Sequence, residues 1–341
     1  MDKIIAGYEI INQEVNTGKK KNWIARTVPW LIGSSVLVYL IWRIEPQPLI
    51  KALAQAQLMI YIPAVLVFIY ISFLVDMQNF RALMKHFGYL FTLAESMAIR
   101  GASYLIVVID YTLGLGSIVY FLKETRQIPL GRGTAIMIYY NYINQIALLL
   151  LAVGGYPLLG MDLPWLTRGL IACILLLCFT VLAIGIIKSS DNGLAKKIRK
   201  AVLAQPFVES TFKIYLLNTI YRMGYYFTYI LFFYAAVRAF GMEIPFITLI
   251  AYVPIILLVI SIPISPFGLG TSQAAMLLLF KSYGTQPQIL AFSLTYSVSL
   301  LLLRALIGAY YYWLMARRIT LNEGLARGGY GSERKADCER A

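Results

Sequence analysis

Eight apolar stretches, most of them about as long as a bilayer core is thick, set the terms on which this chain can fold. They are Val28–Ile44, Leu58–Val75, Ser96–Leu122, Thr134–Val153, Gly169–Ile187, Tyr215–Val237, Phe246–Phe280 and Ile289–Met315. A membrane-spanning helix needs about 20 apolar residues. The expected fold class is therefore all-α, a polytopic membrane protein.

Composition excludes the main alternatives. Hydrophobic residues make up 60% of the 341 and charged residues 13%, against roughly a quarter charged in a soluble domain. The net charge of +14 does not point to nucleic acid, because the basic residues sit in short clusters between apolar runs. Clusters so placed encode orientation in a bilayer and attract anionic headgroups. Three parts are expected: a basic cytoplasmic segment over 1–27, a transmembrane domain over 28–316 and a polar cytoplasmic tail over 317–341. The first 27 residues are polar and end near Lys19, Lys20 and Lys21. No small-x-small cleavage site follows the first run, so it reads as a retained span. Cys173 and Cys178 lie within an apolar run, Cys338 in the tail, and the single histidine, His86, at a span end. That pattern offers neither a metal site nor a disulfide framework, and no cofactor is implied.

Two of the runs do not read as uninterrupted helices. Ser96–Leu122 contains Asp110 and then Gly114-Leu115-Gly116, and Phe246–Phe280 contains Pro254, Pro263, Pro266 and Gly268-Leu269-Gly270. Proline and glycine both weaken a helix interior. If both runs are re-entrant hairpins, six full spans remain and both termini are cytoplasmic. The inside segments then hold 23 of the 30 basic residues. Arg43, Lys51, Arg168, Arg238 and Lys281 fall outside, and Arg222 and Arg304 lie within spans. Full crossing by Ser96–Leu122 would put its basic flank outside or invert every later loop. The two hairpins would enter from opposite sides, each with a hydroxyl residue after its Gly-Leu-Gly, Ser117 or Thr271. Paired interruptions of opposite orientation predict an inverted repeat with a site near the midplane. The alternative is that these glycines serve close helix packing.

Within the runs, polar residues nominate the site. Asp110 is costly at depth unless paired or hydrated. It reads either as a proton or headgroup site or as a structural partner of Arg222 or Arg304. Arg222 lies roughly 13 Å along its helix from Lys213 at about 1.5 Å per residue. It shares a face with Tyr225 and Tyr226, and its forked guanidinium suits a phosphate. Arg304 sits mid-run in a semi-polar stripe with Ser297, Gly308 and Tyr311. Asn141, Asn144 and Gln145 share one helix face, where side-chain amides commonly bond neighbouring helices. The tyrosines between Tyr221 and Tyr234 read mainly as packing and interfacial belt. No nucleophile elbow, zinc-protease motif or Walker loop occurs, so the chain is not expected to be an enzyme.

The segment Ile262-Pro263-Ile264-Ser265-Pro266-Phe267-Gly268-Leu269-Gly270-Thr271-Ser272-Gln273-Ala274-Ala275 resembles the P-I-S-x-x-G-L-G-x-x-E-A segment of the lysylphosphatidylglycerol synthase transmembrane region family. Ser265 and Gln273 join the candidate lipid-binding residues on that ground, and Gly114, Gly116, Gly268 and Gly270 become the expected hairpin breaks. The resemblance implies a flippase-like protein of the cell inner membrane, acting on a phospholipid or polyprenyl-linked lipid. Aminoacyl transfer, performed by a separate soluble domain in the fused synthase, is not implied here. Gln273 stands where the family has glutamate, and Ser117 follows the first glycines where it has a carboxylate. The loss of both keeps a second expectation open, a non-transporting accessory partner of a membrane glycosyltransferase or lipid-modifying enzyme.

Overall fold

A computed structural model describes residues 35, 38–42, 46–109, 111–159, 164–261 and 268–338. The protein is an all-α polytopic membrane protein, and no strand occurs among the described residues. The helices are α1 (Pro46–Ala54), α2 (Leu58–His86), α3 (Leu93–Ile109), α4 (Tyr111–Arg126), α5 (Leu130–Gly155), α6 (Pro164–Ser189), α7 (Gly193–Lys200), α8 (Gln205–Glu209), α9 (Phe212–Ala239), α10 (Phe246–Ser261), α11 (Thr271–Phe280) and α12 (Gln286–Cys338). Four stretches are long and apolar enough to cross a membrane: Leu58–His86, Leu130–Leu158, Thr167–Ser189 and Gln286–Met315. The expected first span, Val28–Ile44, lies largely outside the described residues.

The chain divides into two compact units. The larger comprises Leu58–Ala236, Ile244–Ile255 and the chain from Val298 onward, and the smaller comprises Val237–Glu243, Ile256–Ser297 and the chain up to Gln57.

In the larger unit, α2 outruns its apolar stretch. The run ends at Val75, yet the helix continues to His86 because Met77, Phe80, Leu83 and Met84 keep helical spacing on a buried face. Phe80, Leu83 and Met84 join Ile99 and Ala102 of α3, Ile118 and Leu122 of α4, and Ile136 and Tyr139 of α5 in one core. After α2 the chain turns at Gly88, whose φ of 84° favours glycine. A reciprocal cap then opens α3: the Thr92 N–H donates to Glu95 Oε2 at 2.8 Å, and the Glu95 N–H donates to Thr92 Oγ1 at 3.2 Å.

The α3–α4 pair is a helical hairpin. Arg126, in the last turn of α4, donates to both oxygens of Glu95, in the first turn of α3, at 2.8 and 2.9 Å. Each arm, of 17 and 16 residues, is about 25 Å long at about 1.5 Å per residue, shorter than a span. The Gly-Leu-Gly expected to form the break does not do so: Gly114 and Gly116 lie inside α4. Gly114 serves packing: a Cβ there would overlap Val107 Cγ2 and lie 2.9 Å from Val107 Cα. Gly308 of α12 is pressed against α3 in the same way, with Leu105 Cα 2.7 Å from where its Cβ would be.

In the smaller unit, residues 268–270 of the second interrupted run form a turn that leads into α11 at Thr271. Gly268 and Gly270 have φ of 65° and 82°, so here the glycines do supply the turn. Phe280 and Phe240 both pack against Phe292.

Candidate functional site

The larger unit is organised around a carboxylate that the sequence reading passed over. Asp76 falls one residue beyond the apolar run Leu58–Val75, but helical spacing places it on the buried face of α2 with Ser72 and Asn79. It is 1% exposed. Three other helices converge on it. From α3, Arg100 Nη2 donates to Asp76 Oδ2 at 2.7 Å and the Tyr104 hydroxyl donates to the same oxygen at 3.2 Å. From α5, the Tyr140 hydroxyl donates to Oδ1 at 2.6 Å. From α9, Arg222 Nη1 donates to Oδ1 at 2.6 Å. Asn79 steadies the α2–α9 contact by donating to the Tyr221 carbonyl at 3.2 Å.

Aromatic rings enclose the cations. The Arg222 guanidinium carbon lies 4.0 Å from the Tyr225 ring centre, 5.3 Å from Tyr226 and 5.1 Å from Tyr140. Arg100 lies 5.1 Å from Tyr140 and 5.9 Å from Phe80. Cation–π attraction strengthens with desolvation. The Tyr225 and Tyr229 hydroxyls are hydrogen-bonded at 3.0 Å, and Arg304 Nη2 donates to Tyr229 at 2.8 Å. A tyrosine seam on α9 thus runs from Asp76 to Arg304.

Two buried guanidiniums share one carboxylate. The Nε atoms of Arg100 and Arg222 are buried and find no hydrogen-bond partner among the described residues. A guanidinium with a spare donor has the geometry to bond a planar or tetrahedral oxyanion as well as a carboxylate.

Of the residues nominated from sequence, Arg222 and Arg304 are brought onto this seam. Asp110 and Ser265 lie outside the described residues. Tyr140, rather than its neighbour Asn141 or the exposed Gln145, is the α5 residue on Asp76. Gln273 is buried in the smaller unit: its Oε1 accepts from the Gly270 N–H at 2.6 Å, capping α11, and its Nε2 donates to Ser297 Oγ at 3.1 Å. Arg100, counted among the basic residues of an inside segment, is instead 9% exposed within the helix bundle. That removes one residue from the 23 and leaves the sign of the asymmetry. Asp76 was missed because its apolar run was ended at Val75, Arg100 was counted as a flanking charge, and Tyr104 and Tyr140 lie inside runs where a tyrosine carries no signal of its own. The Ser72, Asp76, Asn79 stripe was the available signal.

The sequence profile described as lysylphosphatidylglycerol synthase TM region matches residues 28–308, which include the whole Asp76 cluster and both interrupted runs. The chain belongs to this family. It is accordingly a membrane protein of lipid metabolism or transport, and what it shares with the synthases is their membrane region. No curated protein and no solved structure gives a significant match.

Proposed function

We propose that this chain is a flippase-like transporter, moving an amphiphilic lipid or lipid-linked headgroup between leaflets without a chemical step of its own. The observation that carries this reading is the sharing of Asp76 by two buried arginines on a tyrosine-lined seam. A phosphate-bearing headgroup offers those guanidiniums the oxygens that Asp76 now supplies. Arg100 and Arg222 would take the phosphate, and Arg304 with Tyr229 would receive it further along α9. The basic-residue asymmetry supports placement in the cell inner membrane with both termini cytoplasmic.

The test is scrambling of fluorescent phosphatidylglycerol in vesicles reconstituted with the full chain, read by dithionite quenching. Transport by the wild type and its loss in R100Q/R222Q, with unaltered helical content, is the expected result. Transport unaffected by the double substitution overturns the site. One observation favours the accessory reading: Gln273, where the resembled motif has glutamate, has both side-chain polar atoms bonded within the protein. Inactive wild-type vesicles, together with co-purification of a glycosyltransferase or lipid-modifying enzyme, would decide for it.

A further inference from the structure

The segment joining α6 to α9 carries chemistry that the Asp76 site does not use. Between Lys188 and Lys213 lie six basic and two acidic residues. This stretch is built into the fold. Arg199 donates to the carbonyls of Lys188 and Ser190, both at 2.9 Å, and so clasps α7 to the end of α6. Arg132 binds both oxygens of Glu209, at 3.1 and 2.6 Å, and Phe207 packs against Tyr139 and Tyr142, fixing α8 on α5. The Lys188 ammonium donates to the Ser210 carbonyl at 2.6 Å.

That anchoring decides which face of α7 is left outward. Ala195, Ile198 and Arg199, at three- and four-residue spacing, turn inward, and Lys196, Lys197 and Lys200 stay exposed. Asp191 lies 3.6 Å from Lys196 and 3.8 Å from Arg199. Among the described residues, no carboxylate lies within ion-pair distance of Lys197 or Lys200. Apolar side chains flank the lysines: Leu194 is 71% exposed, Leu203 52% and Phe212 82%. The segment leaves one apolar helix, α6, and enters another long helix, α9, so it sits where acyl chains give way to headgroups. Lysines over exposed leucine and phenylalanine at that level match the pattern of an interfacial amphipathic helix.

We infer that the outward face of α7, with Leu203 and Phe212, is a docking surface for anionic phospholipid headgroups. The three lysines meet lipid phosphates and the apolar residues enter the acyl boundary. This surface is independent of the transport reading.

The full chain in detergent, titrated separately with phosphatidylglycerol and phosphatidylcholine and read by native mass spectrometry, tests it. The R100Q/R222Q background removes lipid whose phosphate is held by the two arginines beside Asp76. Each lysine near an anionic surface contributes about fivefold in affinity. K196Q/K197Q/K200Q should therefore weaken phosphatidylglycerol retention at least about tenfold and leave phosphatidylcholine unchanged. K196R/K197R/K200R should restore the preference, and L194S/F212S should weaken both lipids. Equal retention of the two lipids by the parent, or phosphatidylglycerol retention within about twofold of the parent in the triple glutamine variant, overturns the inference. Transport that survives R100Q/R222Q, with lipid retention behaving as expected, would count only against the Asp76 site.

Discussion

Helices α5 and α6 are neighbours in sequence and equal in length, at 26 residues each, yet they live in different surroundings. The spanning stretch of α5 is 50% buried and carries Tyr139, Tyr140 and Tyr142; that of α6 is 6% buried and presents Leu175, Leu176, Phe179 and Leu182 outward. The more apolar of the two is the less packed, with mean hydropathy of 3.1 against 1.6. In water the order would be reversed. Lipid tails are as apolar as leucine, so a leucine-rich helix gains little by leaving them. Helices there associate through polar side chains and close backbone approach. α5 has both, and α6 is tied to it through the hydrogen bond from Tyr142 to Thr180 at 2.9 Å.

This contrast can be broken by substitution. The largest effect is expected at Asp76. Asp76→Asn leaves two buried guanidiniums without their counter-charge and should destabilise the protein by about 3–5 kcal/mol, measured by unfolding in detergent. Leu176→Ala on α6 should stay within about 0.5 kcal/mol; equal losses would end the distinction. Next come paired glycines. Gly308→Leu drives a side chain into the α3 backbone and should cost about 1–3 kcal/mol. Gly185→Leu on α6, where nothing lies within 4 Å of a new Cβ, should be neutral. Tyr142→Phe should remove about 0.6 kcal/mol and loosen α6, seen as faster hydrogen exchange near Thr180.

The smallest expected effect is at the open end of the α3–α4 hairpin. Partial burial would raise the Glu95 carboxyl, but hydrogen bonds from Thr92 and Arg126 outweigh it and hold the group below the usual glutamate range. A depressed carboxyl adds stability that is present at neutral pH and lost as pH falls through its folded value. Glu95→Gln should therefore cost under about 1 kcal/mol at pH 7, and its difference from wild type should vanish in acid.

The hairpin at Ser96–Leu122 was legible because basic residues flank a run holding a carboxylate and two glycines. Its turning point was not legible, since Gly-Leu-Gly signals a break and a close contact equally well. The structure uses Gly114 for contact and Gly268 and Gly270 for a turn, from the same tripeptide. Arg222 was legible as a charge at depth, but its partner was not. Asp76 stands 146 residues away in sequence, just past a hydropathy boundary.

The sequence by itself determined the solvent of this protein: apolar runs and basic clusters commit the chain to a bilayer, and its residues place it in a lipid-handling family. Only the tertiary structure decided which buried charges meet. Hydropathy is a property of one residue in its medium, whereas the pairing of Asp76 with Arg100 and Arg222 depends on three helices arriving at one depth.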